Sequence, residues 1–141
     1  MEQESIERLL DKKNVIAVVG VSRSPEKYGH KVYKDLKSAG YKVYPINPNA
    51  TEILGDRCYP DLKALPEKPD LVCFVVPPEV TEEVLGTCVE IGIRKVWMQP
   101  GAESEKAIEF CHSNGIELVY GTCIMLQRKA LEEKKVLAPS E

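Results

Sequence analysis

At 141 residues, with 43% hydrophobic and 29% charged residues, the chain suits one ordinary globular core and not a disordered or fibrous polypeptide. A net charge of −3 leaves no excess of Lys and Arg to displace counterions, which excludes a general nucleic-acid binder. No apolar run approaches membrane-spanning length, and Met1-Glu-Gln-Glu-Ser5 lacks the basic and apolar regions of a signal peptide, so the expectation is a cytoplasmic protein without a membrane partner.

The elements alternate along the chain. Residues 5–13 read as a short leading helix with Ile6, Leu9 and Leu10 on one face. Residues 15–19 are continuously apolar, as a strand buried on both faces should be. Residues 28–39 form a helix that places Val32 and Leu36 inward and ends at Gly40. A second strand covers 42–46 and closes at Asn47-Pro48. Residues 49–69 read as an irregular crossover with one helical turn near 61–65, and 71–76 as a third strand stopped by Pro77-Pro78. A helix over 81–91 takes Thr81 as N-cap and ends at Gly92. A fourth strand (95–98), a helix (104–114), a fifth strand (117–120) and a C-terminal helix (about 126–135) complete the reading. Strands joined by helical crossovers imply a doubly wound α/β domain with a mainly parallel sheet of about five strands, and residues 1–141 read as one domain.

Five cysteines, Cys58, Cys73, Cys88, Cys111 and Cys123, are widely spaced without a Cys-x-x-Cys pair or a Cys/His cluster, which argues against a zinc or thioredoxin-like site. Abundant Lys and Glu with few Asn and Gln is a composition of thermophile proteins. His30 and His112 have no acid/base partner in sequence and are expected to be bystanders.

In a doubly wound sheet, ligands bind outside the carboxyl ends of the strands, where strand order reverses. Those ends carry Gly20-Val21-Ser22-Arg23, Asn47-Pro48-Asn49, Val76-Pro77-Pro78, Gln99-Pro100-Gly101-Ala102 and Gly121-Thr122-Cys123. Gly and Pro terminate strands in most proteins, but the same small, backbone-fixing residues at all five ends point to a ligand cleft. The first loop joins a buried strand to a helix N-terminus, a device for holding phosphate. It is not the usual dinucleotide fingerprint: Gly20 and Gly29 stand nine positions apart, with Ser22, Arg23, Ser24 and Lys27 between them and Tyr28 at the helix start. Lys34 reads as a solvated face, whereas Arg23 and Lys27 read as phosphate contacts. An NAD site places Asp or Glu after the second strand to take the ribose hydroxyls; this chain has Asn47-Pro48. A ligand richer in phosphate, such as a 3′-phosphorylated ADP, fits better.

The runs Gly20–Gly29, Asn47-Pro48, Val76-Pro77-Pro78 and Gln99–Ala102 resemble those of the small stand-alone CoA-binding proteins, whose domain is similar to the CoA-binding half of the succinyl-CoA synthetase alpha subunit. The resemblance runs from about Leu9 to Leu126. It implies a Rossmann-like domain with coenzyme A, free or acylated, lying across the strand ends. Gly20, Val21, Ser22, Arg23, Ser24, Lys27, Tyr28 and Gly29 would hold the phosphates. Asn47, Pro48, Val76, Pro77 and Pro78 would flank the nucleotide and the start of pantetheine, with Gln99, Gly101, Ala102 and Cys123 nearer the thiol. The synthetase needs a phosphorylatable His on a ligase domain that is not visible in this chain.

The expected function is therefore a CoA-binding module without a visible catalytic apparatus. The alternatives are a subunit working with a separate ligase chain and a small nucleotide-cofactor-dependent enzyme; self-association is open. Cys123 has two readings, a buried inert thiol or a partner for a mixed disulfide with CoA, and Cys58 competes with it for the second role.

Overall fold

A computed structural model describes residues 2–137. Its core is a five-stranded parallel sheet built from β1 (Val15–Val19), β2 (Lys42–Ile46), β5 (Leu71–Phe74), β6 (Lys95–Met98) and β7 (Glu117–Tyr120), in the order β2-β1-β5-β6-β7. The reversal of strand order falls between β1 and β5. α2 (Tyr28–Ser38) lies on one face with α1 (Glu2–Leu9) and α5 (Ile124–Leu137); α3 (Pro78–Ile91) and α4 (Glu105–Ser113) lie on the other. The expected doubly wound, Rossmann-like α/β fold is the observed one.

The strands are apolar throughout because both faces are covered, and alternate residues serve opposite layers. Ile16, Val18, Leu71, Cys73 and Trp97 pack with Val32, Tyr33 and Leu36 of α2, whereas Ala17, Val19, Val72, Phe74 and Met98 pack with Leu85 and Cys88 of α3 and Ala107 and Cys111 of α4. The parallel register aligns Ile46 with Val19, Val19 with Phe74, Phe74 with Met98 and Met98 with Tyr120. Five strands therefore end level, and the loops that follow them form one rim.

Several boundaries differ from the sequence reading. α1 ends at Leu9, not residue 13, because Asn14 Nδ2 donates to the Arg8 and Leu9 carbonyls at 2.8 and 2.9 Å and so caps the helix. β5 stops at Phe74. α3 begins at Pro78, preceded by Pro77, so Thr81 is not its N-cap; proline at a first helical position loses only an N–H that has no helical partner anyway. Thr81 instead lies fully buried in the helix, its Oγ1 without a hydrogen-bond partner among the described residues. α5 starts two residues earlier than expected, at Ile124, and runs to Leu137.

The crossover after β2 contains an unexpected hairpin, β3 (Glu52–Ile53) with β4 (Asp56–Arg57), turning through Leu54 and Gly55 at φ 51° and 80°. Asp56 ties it to Tyr33 and Lys37 of α2. The chain then returns along β2: Tyr59 N donates to the Pro45 carbonyl at 3.0 Å, and Asn47 N donates to the Tyr59 carbonyl at 2.9 Å. A 3-10 turn over Leu62–Ala64 follows, capped by Asp61. At the opposite edge, Glu117 of β7 accepts from Ser5 at 2.9 Å and from Arg8 at 2.8 Å, both on α1.

Candidate functional site

A cleft of about 460 Å³ opens at the strand-order reversal, beyond the ends of β1 and β2 and against the outer face of α3. Gly20, Val21, Ser22, Asn47, Pro48 and Val76 line it, as expected from the sequence. A smaller hollow of about 230 Å³ lies between the ends of β5 and β6 and shares Val76 with the cleft; Pro77, Gly101 and Ala102 line it. Pro78 opens α3 beside it.

Sequence reasoning missed the far wall of the cleft. Val80, Glu83, Val84 and Thr87 come from one face of α3, and Pro60, Asp61 and Leu62 from the returning crossover. The first set recurs at helical spacing, which was readable once the helix was started at Pro78. The second has no local signal, since the Tyr59–Pro45 pairing carries it there. Two carboxylates, Asp61 and Glu83, thus border the cleft, although neither occupies the end of β2.

The glycines at the base of the first loop have distinct duties. Gly20 adopts φ +107°, and a Cβ built on it would lie 2.2 Å from the Val75 carbonyl oxygen. A Cβ on Gly29 would lie 2.1 Å from the Gly20 carbonyl oxygen, so only glycine lets α2 sit against the end of β1. Between them, Val21 is fully buried and pegs the loop, and Ser24 N donates to Ser22 Oγ at 3.0 Å. Lys27 precedes α2 in an extended conformation, its side chain makes no cap, and the first turn carries no acidic residue. The positive end of α2 is therefore left without a side-chain cap, and the two cations of the loop that leads into it, Arg23 and Lys27, are exposed.

Asn47 is spent on bracing. Its Nδ2 donates to the Val21 carbonyl at 2.7 Å and its Oδ1 accepts from Asn49 N at 2.7 Å, tying the first and second loops together. A carboxylate here could not donate to Val21, which gives a physical reason for an amide where an NAD site has an acid. His30, expected to be a bystander for want of an acid/base partner, has a structural contact. It is 5% exposed, and its Nδ1 lies 2.8 Å from the Ser22 carbonyl. His112 is exposed on α4.

Tyr28, Gln99 and Cys123 meet away from the cleft, near the start of α5. Tyr28 Oη donates to Cys123 Sγ at 2.9 Å, and Gln99 Nε2 donates to Tyr28 Oη at 2.8 Å and to Cys123 Sγ at 3.4 Å. Gln99 Oε1 accepts from Ile124 N at 2.7 Å. Burial pushes the Cys123 thiol up, but donation from Tyr28, Gln99 and the backbone of Met125 and Leu126 outweighs it, and the thiol falls below its ordinary value. Burial, and then donation to Cys123, holds the Tyr28 hydroxyl well above its ordinary range, so it stays a donor.

The other thiols are buried. Burial raises Cys58 and Cys73, and takes Cys88 up to about 12 and Cys111 up to about 11. Between the two candidates for reaction, geometry and electrostatics therefore separate Cys123 from Cys58. Among the described residues no group of three or more His, Cys, Asp or Glu could hold a metal ion, and no helix is long and apolar enough to cross a membrane.

Three comparisons with known proteins bear on the cleft. The chain is 33% identical over 120 residues to the alpha subunit of an ADP-forming acetate–CoA ligase II of Pyrococcus furiosus, covering 77% of this chain and 26% of that one. It is 30% identical over 119 residues to an uncharacterised protein of Bacillus subtilis, YneT, covering 84% of this chain and 88% of that one. A solved structure of a conserved hypothetical protein from Pyrococcus furiosus superposes with a TM-score of 0.77 at 46% identity, covering 81% of this chain and 98% of that one. The chain spans about a quarter or less of the length of these ligase relatives. The family model for the CoA binding domain matches residues 14–129, from the start of β1 into α5 and so across every loop of the rim: the chain belongs to the CoA-binding domain family.

Proposed function

We propose that this chain binds coenzyme A or an acyl-CoA, with the 3′-phosphorylated ADP in the cleft between β1, β2 and α3 and the pantetheine arm running along the rim towards the later strand ends. The observation that carries this reading is the first loop. It combines an uncapped helix N-terminus with Arg23 and Lys27, while the end of β2 offers a bracing amide in place of a ribose-binding carboxylate. The apolar stretch Pro48, Val80 and Val84 suits a flat base, and the hollow at Pro77, Gly101 and Ala102 suits a narrow chain.

On this reading the residues act by binding and orienting. Cys123 stands on the same rim, and its stabilised thiolate could attack a CoA disulfide. That forms a protein–CoA disulfide and releases one CoA thiolate, so no outside oxidant is needed. Pairing with a separate ligase chain is a second reading, favoured by the match to a ligase subunit that is itself one part of a larger assembly.

Native mass spectrometry of the purified protein tests the proposal. A retained mass of CoA or an acyl-CoA supports it, and the same spectrum counts subunits. Calorimetry then compares CoA with NAD: micromolar or tighter CoA binding and clearly weaker NAD binding are expected. Equal affinity for the two, or no heat with CoA, would remove the reading.

A further inference from the structure

The β1–α2 loop is held by its carbonyl groups, from two sides. Asn47 Nδ2 donates to the Val21 carbonyl at 2.7 Å. His30 Nδ1 contacts the Ser22 carbonyl at 2.8 Å, and since a carbonyl only accepts, Nδ1 carries the proton. In a trans peptide the C=O and the following N–H point to opposite sides of the chain, and the described residues contain no cis peptide. Tying down the Val21 carbonyl therefore directs the Ser22 N–H away from Asn47. Tying down the Ser22 carbonyl directs the Arg23 N–H away from His30. Neither N–H donates to another group among the described residues, although Gly20 N, Val21 N and Ser24 N on either side all do.

Two successive N–H groups without a partner among the described residues thus stand close to the uncapped end of α2, at the lip of a cleft that Ser22 itself lines, where an anion seat would lie. We propose that His30 is a positioning residue for this seat: a buried imidazole that touches no ligand but, by holding the Ser22 carbonyl inward, aims the Ser22 and Arg23 amides at a phosphate oxygen. The inference rests on the CoA reading for its ligand but not for its geometry. It assigns a role to a histidine that has no acid/base partner, and it explains why the loop works with two glycines. Side chains, not further glycines, set its peptide planes.

The role separates from mere packing by what replaces the imidazole. His30→Asn keeps an N–H donor near the Nδ1 position, whereas His30→Leu keeps bulk and removes the donor. Calorimetry with CoA should give His30→Leu at least tenfold weaker binding and His30→Asn within about threefold of the parent, the difference of a charge-assisted contact kept or lost. Amide NMR of the ¹⁵N-labelled parent, titrated with inorganic pyrophosphate and then with CoA, should move the Ser22 and Arg23 resonances more than those of Gly20 and Val21. The inference is overturned if His30→Leu binds CoA as the parent does, or if the Ser22 and Arg23 amides stay unmoved in the parent; the second measurement decides even where His30→Leu does not fold. A parent that binds no CoA, yet whose two amides still respond to pyrophosphate, would sink the CoA reading and leave the anion seat standing.

Discussion

Replacing Gly29 by alanine sets two effects of opposite sign against each other. Alanine is the better helix former by up to about 1 kcal/mol in a helix interior, and by less at the second residue of α2. Against this, the new Cβ would sit 2.1 Å from the Gly20 carbonyl oxygen, 3.0 Å from its carbon and 3.3 Å from the Val21 Cα, all backbone atoms that no rotamer change can move. Restoring ordinary contact at 3.4 Å lifts α2 off the end of β1 by more than 1 Å. Overpacking of this kind costs about 1–3 kcal/mol, so a net loss of about 2 kcal/mol is expected. With about 2.1 cal/mol/K of unfolding entropy per residue, that lowers the melting temperature by about 7 °C for a chain of this length.

Gly86 is the control. It lies in α3, exposed, with nothing within 4 Å of a built Cβ, so Gly86→Ala should raise stability by about 0.5–1 kcal/mol, or about 2–3 °C. Calorimetric unfolding of the two variants beside the parent reads both. The reasoning is refuted if Gly29→Ala melts at or above the parent, or if Gly86→Ala falls as far as Gly29→Ala.

Three further outcomes are expected. Arg23→Ala and Lys27→Ala should each weaken CoA binding by about 1.5–3 kcal/mol in calorimetry while leaving the melting temperature unchanged, since both side chains are exposed; a change under about twofold would place the phosphates elsewhere. In iodoacetamide mapping across pH, Cys123 should alkylate at lower pH than Cys58, and Tyr28→Phe, which removes a donor to the thiolate, should move the Cys123 half-point to higher pH; a half-point that does not rise contradicts the assignment. Thr81→Val removes a buried hydroxyl that has no partner among the described residues while keeping its shape, and should stabilise the fold by about 1 kcal/mol, read as a rise in melting temperature rather than a fall.

Where the residues themselves carry the structural signal, sequence and structure agree. The continuous apolar runs at 15–19 and 95–98 are buried strands because both sheet faces are covered, and the helices ending near Gly40 and Gly92 stop where a left-handed glycine lets them. The misreadings have local causes. In sequence Pro77-Pro78 signals only a stop, whereas its second proline also starts α3, and Leu54-Gly55 lacks the asparagine or aspartate that makes a hairpin turn visible. The cleft was half legible: the strand-end loops lie together because the register levels them, but its far wall depends on pairing between Tyr59 and Pro45, which no residue pattern announces. The same holds for Tyr28, Gln99 and Cys123, which converge only through the order of the strands.

The pairing of Tyr59 with Pro45 also bears on how this protein meets other chains. An exposed sheet edge is a template for strand addition, and so for aggregation or β-type partners. At one margin of this sheet, Pro45 is buried and has no N–H to offer, and the returning chain occupies its carbonyl. At the other, β7 is only four residues long, and its first residue, Glu117, is a carboxylate bound to Ser5 and Arg8 of α1. Both margins thus discourage a sixth strand in the ladder. Association, with a ligase chain or with a second copy, is thereby steered to helix faces and loop rims, where side chains and not backbone set the choice of partner.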